Sequence, residues 1–309
     1  MRVLITGSAG FIGTHLTQKF LDKGHSVIGL DDFFTGKKEN MKFFIDHANF
    51  TFVEGDVRRA MVFDVDLIIN LASPASPQAY QLDPVRTIET NFIGTLNLLK
   101  ICQATGARIL QASTSEIYGD PLESPQRESY WGNVNPIGLR SCYDEGKRAA
   151  ESLCFDFWRQ YGVDARVVRI FNTYGPYMAV NDGRVVSNFI NQAIRDKPLR
   201  VFGTGMHTRS FCYVSDLVSG IYDISTLTDS VETPINLGNC QEILIKDLAE
   251  LVIKLSKSKS LIINTPLPQD DPKQRKPDLS LAKKLINWSP KVQLVSGLQQ
   301  TIEYFKNIK

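Results

Sequence analysis

The 309-residue sequence has few of the residues on which metal centres, disulfide frameworks and membrane spans depend. Its five cysteines are widely spaced, no Cys-x-x-Cys pair occurs, and there are only four histidines. Metal sites and disulfide scaffolds need closely spaced or paired ligands, so we expect reduced thiols and no bound metal. No apolar run reaches the ~18 residues of a membrane helix, and no apolar leader precedes the first strand-like segment. We therefore expect a cytoplasmic protein with no membrane partner.

Charge and sequence complexity exclude two further classes of protein. The formal net charge of +2 is too balanced for a nucleic-acid partner, whose phosphates call for a concentrated basic surface. No internal repeat or low-complexity tract occurs, so we expect neither a repeat array nor a disordered linker. Composition thus excludes several functions but selects none.

Strand-like and helical segments alternate over the first half of the chain. Apolar runs typical of buried strands occupy residues 2–6, 26–30, 50–54, 66–70, 107–112 and 164–169. Helical periodicity covers residues 11–22, 84–104 and 141–161. This alternation predicts an α/β fold with a doubly wound, mostly parallel sheet. Beyond it we expect a smaller mixed lobe with helices near residues 184–196, 215–226, 245–256, 280–287 and 295–307.

A glycine-rich turn joins the first predicted strand to the first predicted helix. Gly7, Gly10 and Gly13 permit a tight turn and let backbone N–H groups approach a pyrophosphate at the helix amino terminus. The next strand ends at Asp31 and Asp32, where a dinucleotide fold places the acid that binds the adenosine ribose. An acid there repels a 2′-phosphate, so NAD is the expected cofactor rather than NADP. Asp31 could alternatively be an ordinary turn residue.

Two further segments carry chemistry. Tyr143 and Lys147 lie four residues apart, which places a phenol and an ammonium on one face of a helix. A tyrosine titrates near pH ~10 and is a poor base unless a nearby cation favours the phenolate. Taken alone, the spacing is equally typical of a packed ring and a solvated amine. The predicted strand before Thr114 ends in hydroxyls and the carboxylate of Glu116, at the edge where such sheets bind ligands.

Together these features resemble the extended short-chain dehydrogenases/reductases that act on nucleotide sugars. Within that superfamily the chain is similar to the UDP-glucuronate decarboxylases, which form UDP-xylose, from residue 1 to about residue 305. The similarity rests on segments 72–77, 113–120, 135–138, 142–148, 171–176, 181–189 and 270–277. It implies a Rossmann NAD-binding domain at residues 1–175, interleaved with a sugar-nucleotide lobe at residues 176–309.

The resemblance also implies a reaction. Tyr143, supported by Lys147, takes the proton of the C4 hydroxyl while NAD takes the hydride, and Thr114 binds the new C4 oxygen. The product is a β-keto acid that loses CO2, after which the hydride returns to C4. Ser115 orients the carboxylate, and Glu116 helps to expel CO2 or positions the water or acid that reprotonates C5.

The residues around Thr114 separate this reaction from those of related enzymes. The 4,6-dehydratases carry Asp-Glu after this threonine, whereas this chain has Ser115 and Glu116. The 4-epimerases generally have no carboxylate at the Glu116 position. A dehydratase or epimerase is therefore disfavoured. A non-catalytic dinucleotide sensor is disfavoured as well, because such modules typically lose the tyrosine or the lysine.

The resemblance assigns binding residues to both ligands. Those expected to contact NAD are Gly7, Gly10, Phe11, Ile12, Gly13, Asp31, Asp32, Asp56, Val57, Ala72 and Lys147. For the substrate UDP-glucuronate, Tyr80 is expected at the sugar, Asn172 at the diphosphate and Val201 at the uracil. Arginine suits phosphate and carboxylate, so Arg184, Arg209 and Arg275 are expected to converge on the substrate. Arg275 is assigned to the diphosphate and Arg209 to the sugar as an acid or carboxylate clamp.

Two questions stay open at this stage. A related enzyme stops after decarboxylation and releases UDP-4-keto-pentose with NADH, and the same active-site residues would serve it. The resemblance further implies a homodimer in which helices 84–104 and 141–161 pair with their copies. Tyr177 departs from the family pattern, which usually has arginine there.

Overall fold

Seven parallel strands form the central sheet of the protein, whose computed structural model describes residues 1–266 and 274–308. Across the sheet they lie in the order Ile235–Leu237, Ala165–Ile170, Arg108–Thr114, Leu67–Asn70, Arg2–Thr6, Ser26–Asp31 and Phe50–Glu54. Every neighbouring pair is parallel, which confirms the predicted doubly wound sheet. The strand order reverses beside Arg2–Thr6, and sheets of this kind bind ligands above the carboxyl ends of the strands at that reversal.

The strands are apolar on both faces because both faces are covered. In the first strand Val3 and Ile5 belong to one buried cluster and Leu4 to a second cluster on the opposite face. Successive side chains of a strand point to opposite faces, so a strand buried on both sides is continuously apolar. This explains why unbroken apolar runs predicted the strands correctly.

Helices form the outer layers and, apart from the short helix Pro77–Leu82, agree closely with the predicted segments. Their bounds are Phe11–Asp22, Pro77–Leu82, Pro84–Glu89, Thr95–Thr105, Ser141–Tyr161, Val185–Ala193, Val214–Thr226, Ile245–Ser256, Ser280–Ile286 and Leu294–Asn307. The helix predicted at residues 84–104 is interrupted by a π-helical turn at Thr90–Gly94. No helix within residues 1–266 and 274–308 is both long and apolar enough to cross a membrane.

The helix Ser141–Tyr161 positions the expected proton-transfer pair. Tyr143 and Lys147 both lie on its buried face, as their spacing predicts, with 5% and 4% of their surfaces exposed. The helix ends at Gly162, whose φ of +70° is a left-handed conformation that glycine adopts without steric cost.

The C-terminal lobe contains short strand pairs. Leu199–Phe202 pairs in parallel with Ile262–Thr265, and Thr208–Ser210 pairs in antiparallel fashion with Glu242–Leu244. The strand Ile235–Leu237 belongs to the main sheet although it follows the predicted boundary at residue 175. That boundary stays a prediction. Of the 270–277 segment, residues 270–273 lie outside the described part of the chain.

Candidate active site

A cavity of about 770 Å³ opens above the carboxyl ends of the central strands. Its walls come from the glycine turn, the end of the strand Arg108–Thr114 and the helix Ser141–Tyr161. It brings together most of the residues that the sequence assigns to cofactor, catalysis and substrate. These are Gly7, Gly10, Phe11, Ile12, Gly13, Asp31, Asp32, Val57, Ala72, Tyr80, Thr114, Ser115, Glu116, Tyr143, Lys147, Asn172, Arg184, Arg209 and Arg275.

The glycine turn leaves the amino end of the helix Phe11–Asp22 open to this cavity. Gly7 has a φ of +70°, and a Cβ atom at Gly13 would collide with the Gly7 backbone. Among the described residues no side chain caps this helix, and its first turn carries no acidic residue. Its free N–H groups and its dipole are therefore available to an anion. The turn fits the pyrophosphate of NAD.

The two acids after the second strand frame the other end of the cofactor site. Asp31 accepts hydrogen bonds from the N–H groups of Ala9 at 2.9 Å and Phe33 at 2.8 Å. Burial raises the pKa of its carboxyl group. Asp32 pairs with Arg86 at 2.6 Å. Both acids line the cavity, in keeping with the predicted contact to the adenosine ribose.

Thr114, Tyr143 and Lys147 meet at the centre of the cavity. The Thr114 hydroxyl lies near the Tyr143 phenol, and the Lys147 ammonium donates to the carbonyl oxygen of Ala112 at 2.8 Å. Burial lowers the pKa of Lys147 to about 8, although the Glu151 carboxylate partly opposes this. Burial also raises the pKa of Tyr143 above its ordinary value of 10, and the nearby Thr114 hydroxyl offsets this only in part. The surrounding residues by themselves therefore favour the protonated phenol of Tyr143, whereas the sequence analysis expected Lys147 to favour the phenolate.

Tyr80 stacks on Tyr143. The two rings are nearly parallel, with an interplanar angle of 6° and centroids 5.1 Å apart. Tyr80 is 1% exposed, and its hydroxyl has no hydrogen-bond partner among the described residues although it is buried. A buried hydroxyl beside a cavity is suited to bind a polar ligand group, which agrees with the predicted sugar contact.

Two guanidinium groups enclose the carboxylate of Glu116. Arg275 donates to both of its oxygens, one at 2.9 Å and the other more closely, and Arg140 forms a further close pair with it. Arg275 also lies 3.5 Å from the Ser115 hydroxyl. Burial would raise the pKa of Glu116, but the two cations outweigh it and lower the pKa to about 2. Glu116 is thus ionised, and Arg275 lies at the catalytic centre, while its assignment to a diphosphate stays a prediction.

The remaining predicted arginines line the cavity farther from Glu116. Arg184 pairs with Asp182 and lies over the ring of Phe11, 5.7 Å from its centroid. The charge of Arg184 also lowers the pKa of Tyr143. Arg209 is 8% exposed and donates to the carbonyl oxygen of Thr208 at 2.8 Å.

Two predicted site residues do not line the cavity. Val201 is 1% exposed and belongs to the core, whereas its neighbours Arg200 and Phe202 line the cavity. Alternate residues of a strand point to opposite faces, and the sequence alone did not fix which set points inward. Asp56 pairs instead with Arg58 at 2.7 Å.

The sequence did not single out Arg140 or Arg86, both of which line the cavity. Arg140 lies three residues before Tyr143, and its position at the start of the helix was an available signal. Arg86 offered none, because its partner Asp32 lies 54 residues away in sequence.

The comparisons with known proteins agree with this geometry. Residues 3–238 match the NAD dependent epimerase/dehydratase family. UDP-glucuronic acid decarboxylase 1 of Danio rerio is 52% identical over 304 residues, 98% of this chain and 72% of that protein. UDP-glucuronic acid decarboxylase 3 of Arabidopsis thaliana is 53% identical over 310 residues, 99% of this chain and 89% of that protein.

A solved structure shows the same fold. The crystal structure of UDP-glucuronic acid 4-epimerase from Bacillus cereus, in complex with UDP-glucuronic acid and NAD, is 28% identical with a TM-score of 0.88. The match covers 99% of each chain. The glycine turn, the paired acids, the Tyr-Lys pair and the family match lead to one conclusion: this chain belongs to the NAD dependent epimerase/dehydratase family.

Proposed function

We propose that this protein is an NAD-dependent UDP-glucuronate decarboxylase, which converts UDP-glucuronate to UDP-xylose and CO2. The observation that carries the proposal is the Glu116 carboxylate between Arg275 and Arg140, next to Thr114 and Tyr143. Relatives more than 50% identical bear the name of this activity. The Bacillus cereus neighbour binds UDP-glucuronic acid in the same fold.

The first step is oxidation at C4 of the sugar. Tyr143 is the base that removes the C4 hydroxyl proton, and Thr114, which lines the cavity beside that phenol, holds the developing carbonyl oxygen. NAD, when bound, supplies the hydride acceptor and later the hydride donor at C4. Burial disfavours the phenolate that this step requires, and the Lys147 ammonium on the same helix face favours that phenolate electrostatically.

Loss of CO2 follows from the keto group at C4. Carbon C6 is then a carboxylate β to a carbonyl, and breaking the C5–C6 bond leaves an enolate whose charge rests on the C4 oxygen. Thr114 and Tyr143 are fixed donors for that oxygen. Arg275 and Ser115 bind the departing carboxylate group, because both line the cavity next to Glu116. The fixed negative charge of Glu116 repels that carboxylate and favours its loss as neutral CO2.

The test is incubation of the purified protein with UDP-glucuronate and catalytic NAD, with sugar nucleotides followed by proton NMR and NADH by absorbance at about 340 nm. UDP-xylose without accumulation of NADH is the expected result. UDP-4-keto-pentose with one NADH per substrate would instead identify the oxidative decarboxylase. UDP-galacturonate would identify a 4-epimerase, and unchanged substrate would overturn the proposal.

We also propose that the protein forms a homodimer through the helices at residues 84–104 and 141–161. The first of these leaves apolar side chains exposed at Val85, Ile88, Phe92 and Ile93, between 38% and 65% of their surfaces. A row of exposed apolar residues on a helix is typical of a protein interface. The cytoplasmic location stays a prediction.

Sedimentation velocity tests the dimer. We expect wild type to sediment as a dimer and Val85→Asp as a monomer or a weakened dimer, because a buried unpaired charge opposes association. Val62→Asp is the matched control, since Val62 is 93% exposed outside these helices. A monomeric wild type would refute the proposal.

A further inference from the structure

A second acid, Asp144, lies near Glu116 on the side away from the main cavity. It follows Tyr143 in the helix, is 6% exposed, and its Oδ1 atom accepts no hydrogen bond among the described residues. Its other oxygen is 4.0 Å from the Nε atom of Arg140, the cation that also pairs with Glu116. A buried carboxyl group with an unpartnered oxygen is costly unless it carries a proton or serves a function.

Asp144 and Glu116 face a common small cavity. This space of about 70 Å³ is lined by Glu116, Arg140, Asp144 and the polar residues Asn133 and Asn135. It is large enough for water and has the polar groups that water requires. Glu116 and Arg140 also line the main cavity, so they form the wall that separates Asp144 from the sugar.

The proposed reaction consumes one proton per turnover. When the C5–C6 bond breaks, its electron pair becomes the enolate and CO2 leaves without a proton. Carbon C5 must then gain a proton before the hydride can return to C4. The sugar carboxylate supplies none, and the proton that Tyr143 takes from the C4 hydroxyl is returned there at the end. A separate acid is therefore required.

We propose that Asp144 holds this proton and delivers it to C5 by way of Glu116. The O–H bond of Asp144 breaks, the proton crosses the small cavity to one Glu116 oxygen, and Glu116 passes a proton to C5. The Asp144 carboxylate is then reprotonated from solvent. One proton is consumed for each CO2, and no electrons are gained or lost. The proposal rests on the proposed decarboxylation and assigns its proton source.

The charges around Asp144 favour a stored proton. Burial and repulsion by Glu116 raise the pKa of Asp144 to about 7, although Arg140 and Arg275 oppose this. Other groups that interact with it are Tyr80 across the cavity and Cys142, Tyr143 and Glu145 on its own helix. Asp120 lines the small cavity too. Asp144 therefore holds its proton to a higher pH than an ordinary aspartate does.

Substrate binding further favours a proton on Asp144 and its transfer to Glu116. Two guanidinium groups, Arg140 and Arg275, face the two carboxylates Glu116 and Asp144. The substrate adds a third carboxylate, and with a proton on Asp144 two negative groups again face two positive ones. When Arg275 shares its N–H groups with the substrate, its hold on Glu116 weakens. The pKa of Glu116 then rises, which lets it accept and pass on a proton.

Asp144→Asn and the matched control Glu145→Gln test the proposal. Asparagine keeps the shape but cannot store the proton, and Glu145 is the next carboxylate on the helix, paired with Arg148 at 3.5 Å. NAD-loaded enzyme is mixed rapidly with UDP-glucuronate, and bound NADH is followed at about 340 nm. We expect the rate at which NADH forms to agree within about twofold among wild type, Asp144→Asn and Glu145→Gln. The later disappearance of NADH should be slower than in wild type by at least about tenfold in Asp144→Asn alone. A fall at the wild-type rate, or equal slowing in Glu145→Gln, would overturn the proposal.

Two further measurements test the proposal without the Asp144→Asn variant, and the second of them also needs no turnover. In wild type, the disappearance of NADH should slow as pH increases from about 6 to about 8.5. A constant rate would overturn the proposal even if Asp144→Asn fails to fold. Carbon-13 NMR of the aspartate carboxyls without substrate should show one buried group that titrates near pH 7. Titration of every aspartate near its usual pH of about 4 would also overturn it. A wild type that gives no NADH rise would refute the decarboxylase function itself.

Discussion

Replacement of Tyr143 by phenylalanine removes one hydroxyl from the centre of the site. That hydroxyl lies near Thr114, and the Tyr143 side chain is only 5% exposed. The ring and its stacking on Tyr80 remain, so the loss of stability is at most that of one buried hydrogen bond, about 1 kcal/mol. In a chain of this size that lowers the melting temperature by only a few degrees. Loss of the base should slow C4 oxidation by a factor of about 10² to 10⁴.

A matched variant separates the two effects. Tyr174 is buried as well, with 1% of its surface exposed, and its hydroxyl donates a hydrogen bond to the carbonyl oxygen of Leu294 at 3.2 Å. Tyr174 does not line the main cavity. Tyr174→Phe should therefore lose similar stability while its rate of NADH formation stays at the wild-type level.

The assay is rapid mixing with UDP-glucuronate at saturating NAD, with UDP affinity measured separately by calorimetry. Tyr143→Phe should bind UDP almost as wild type does, since UDP lacks the reacting sugar. If Tyr143→Phe kept more than a few per cent of the wild-type oxidation rate, about the least loss expected of a general base, the role given to Tyr143 would be wrong. Equal loss of rate in Tyr174→Phe would show that the effect is structural.

Two further variants probe other parts of the site. Glu116→Gln should slow CO2 release much more than C4 oxidation, because it removes the charge between Arg275 and Arg140 but leaves Thr114 and Tyr143 in place. Quenched-flow measurement of labelled CO2 release and of NADH formation compares the two rates. Equal slowing of both would assign Glu116 to an earlier step. Asp32→Asn should raise kcat/KM with NADP relative to NAD by about tenfold or more, because it removes an acid that repels a 2′-phosphate and releases Arg86 to bind one. Asp22→Asn, on a carboxylate that pairs with Gln18, is the control, and an unchanged cofactor preference in Asp32→Asn would contradict the assigned role.

Local pattern fixed a large part of the fold and of the catalytic pair. The inner strands of the sheet were recognisable because they are buried on both faces, and the helices because one face of each is apolar. The glycine turn and the Tyr143–Lys147 pair depend on spacings of three and four residues, which the backbone geometry turns directly into proximity. For these features the sequence alone was sufficient.

Longer-range features needed the tertiary structure. The strand Ile235–Leu237 joins the main sheet through pairing with Ala165–Ile170, and its three residues carry too little pattern to predict that pairing. Val201 shows the same limit on a smaller scale, since period-two alternation leaves open which face of a strand is the core.

The residues of the site likewise divide into those that the sequence predicted and those that only the tertiary structure brought together. The sequence predicted that Thr114, Glu116 and Tyr143 lie at one edge of the sheet, and the family resemblance implied a sugar nucleotide as their ligand. Only the fold brought Arg275 to Glu116 across 159 residues and placed Asp144 behind both. The charge state of a buried group depends on its burial and on every charge around it, and those are properties of the folded chain rather than of any segment.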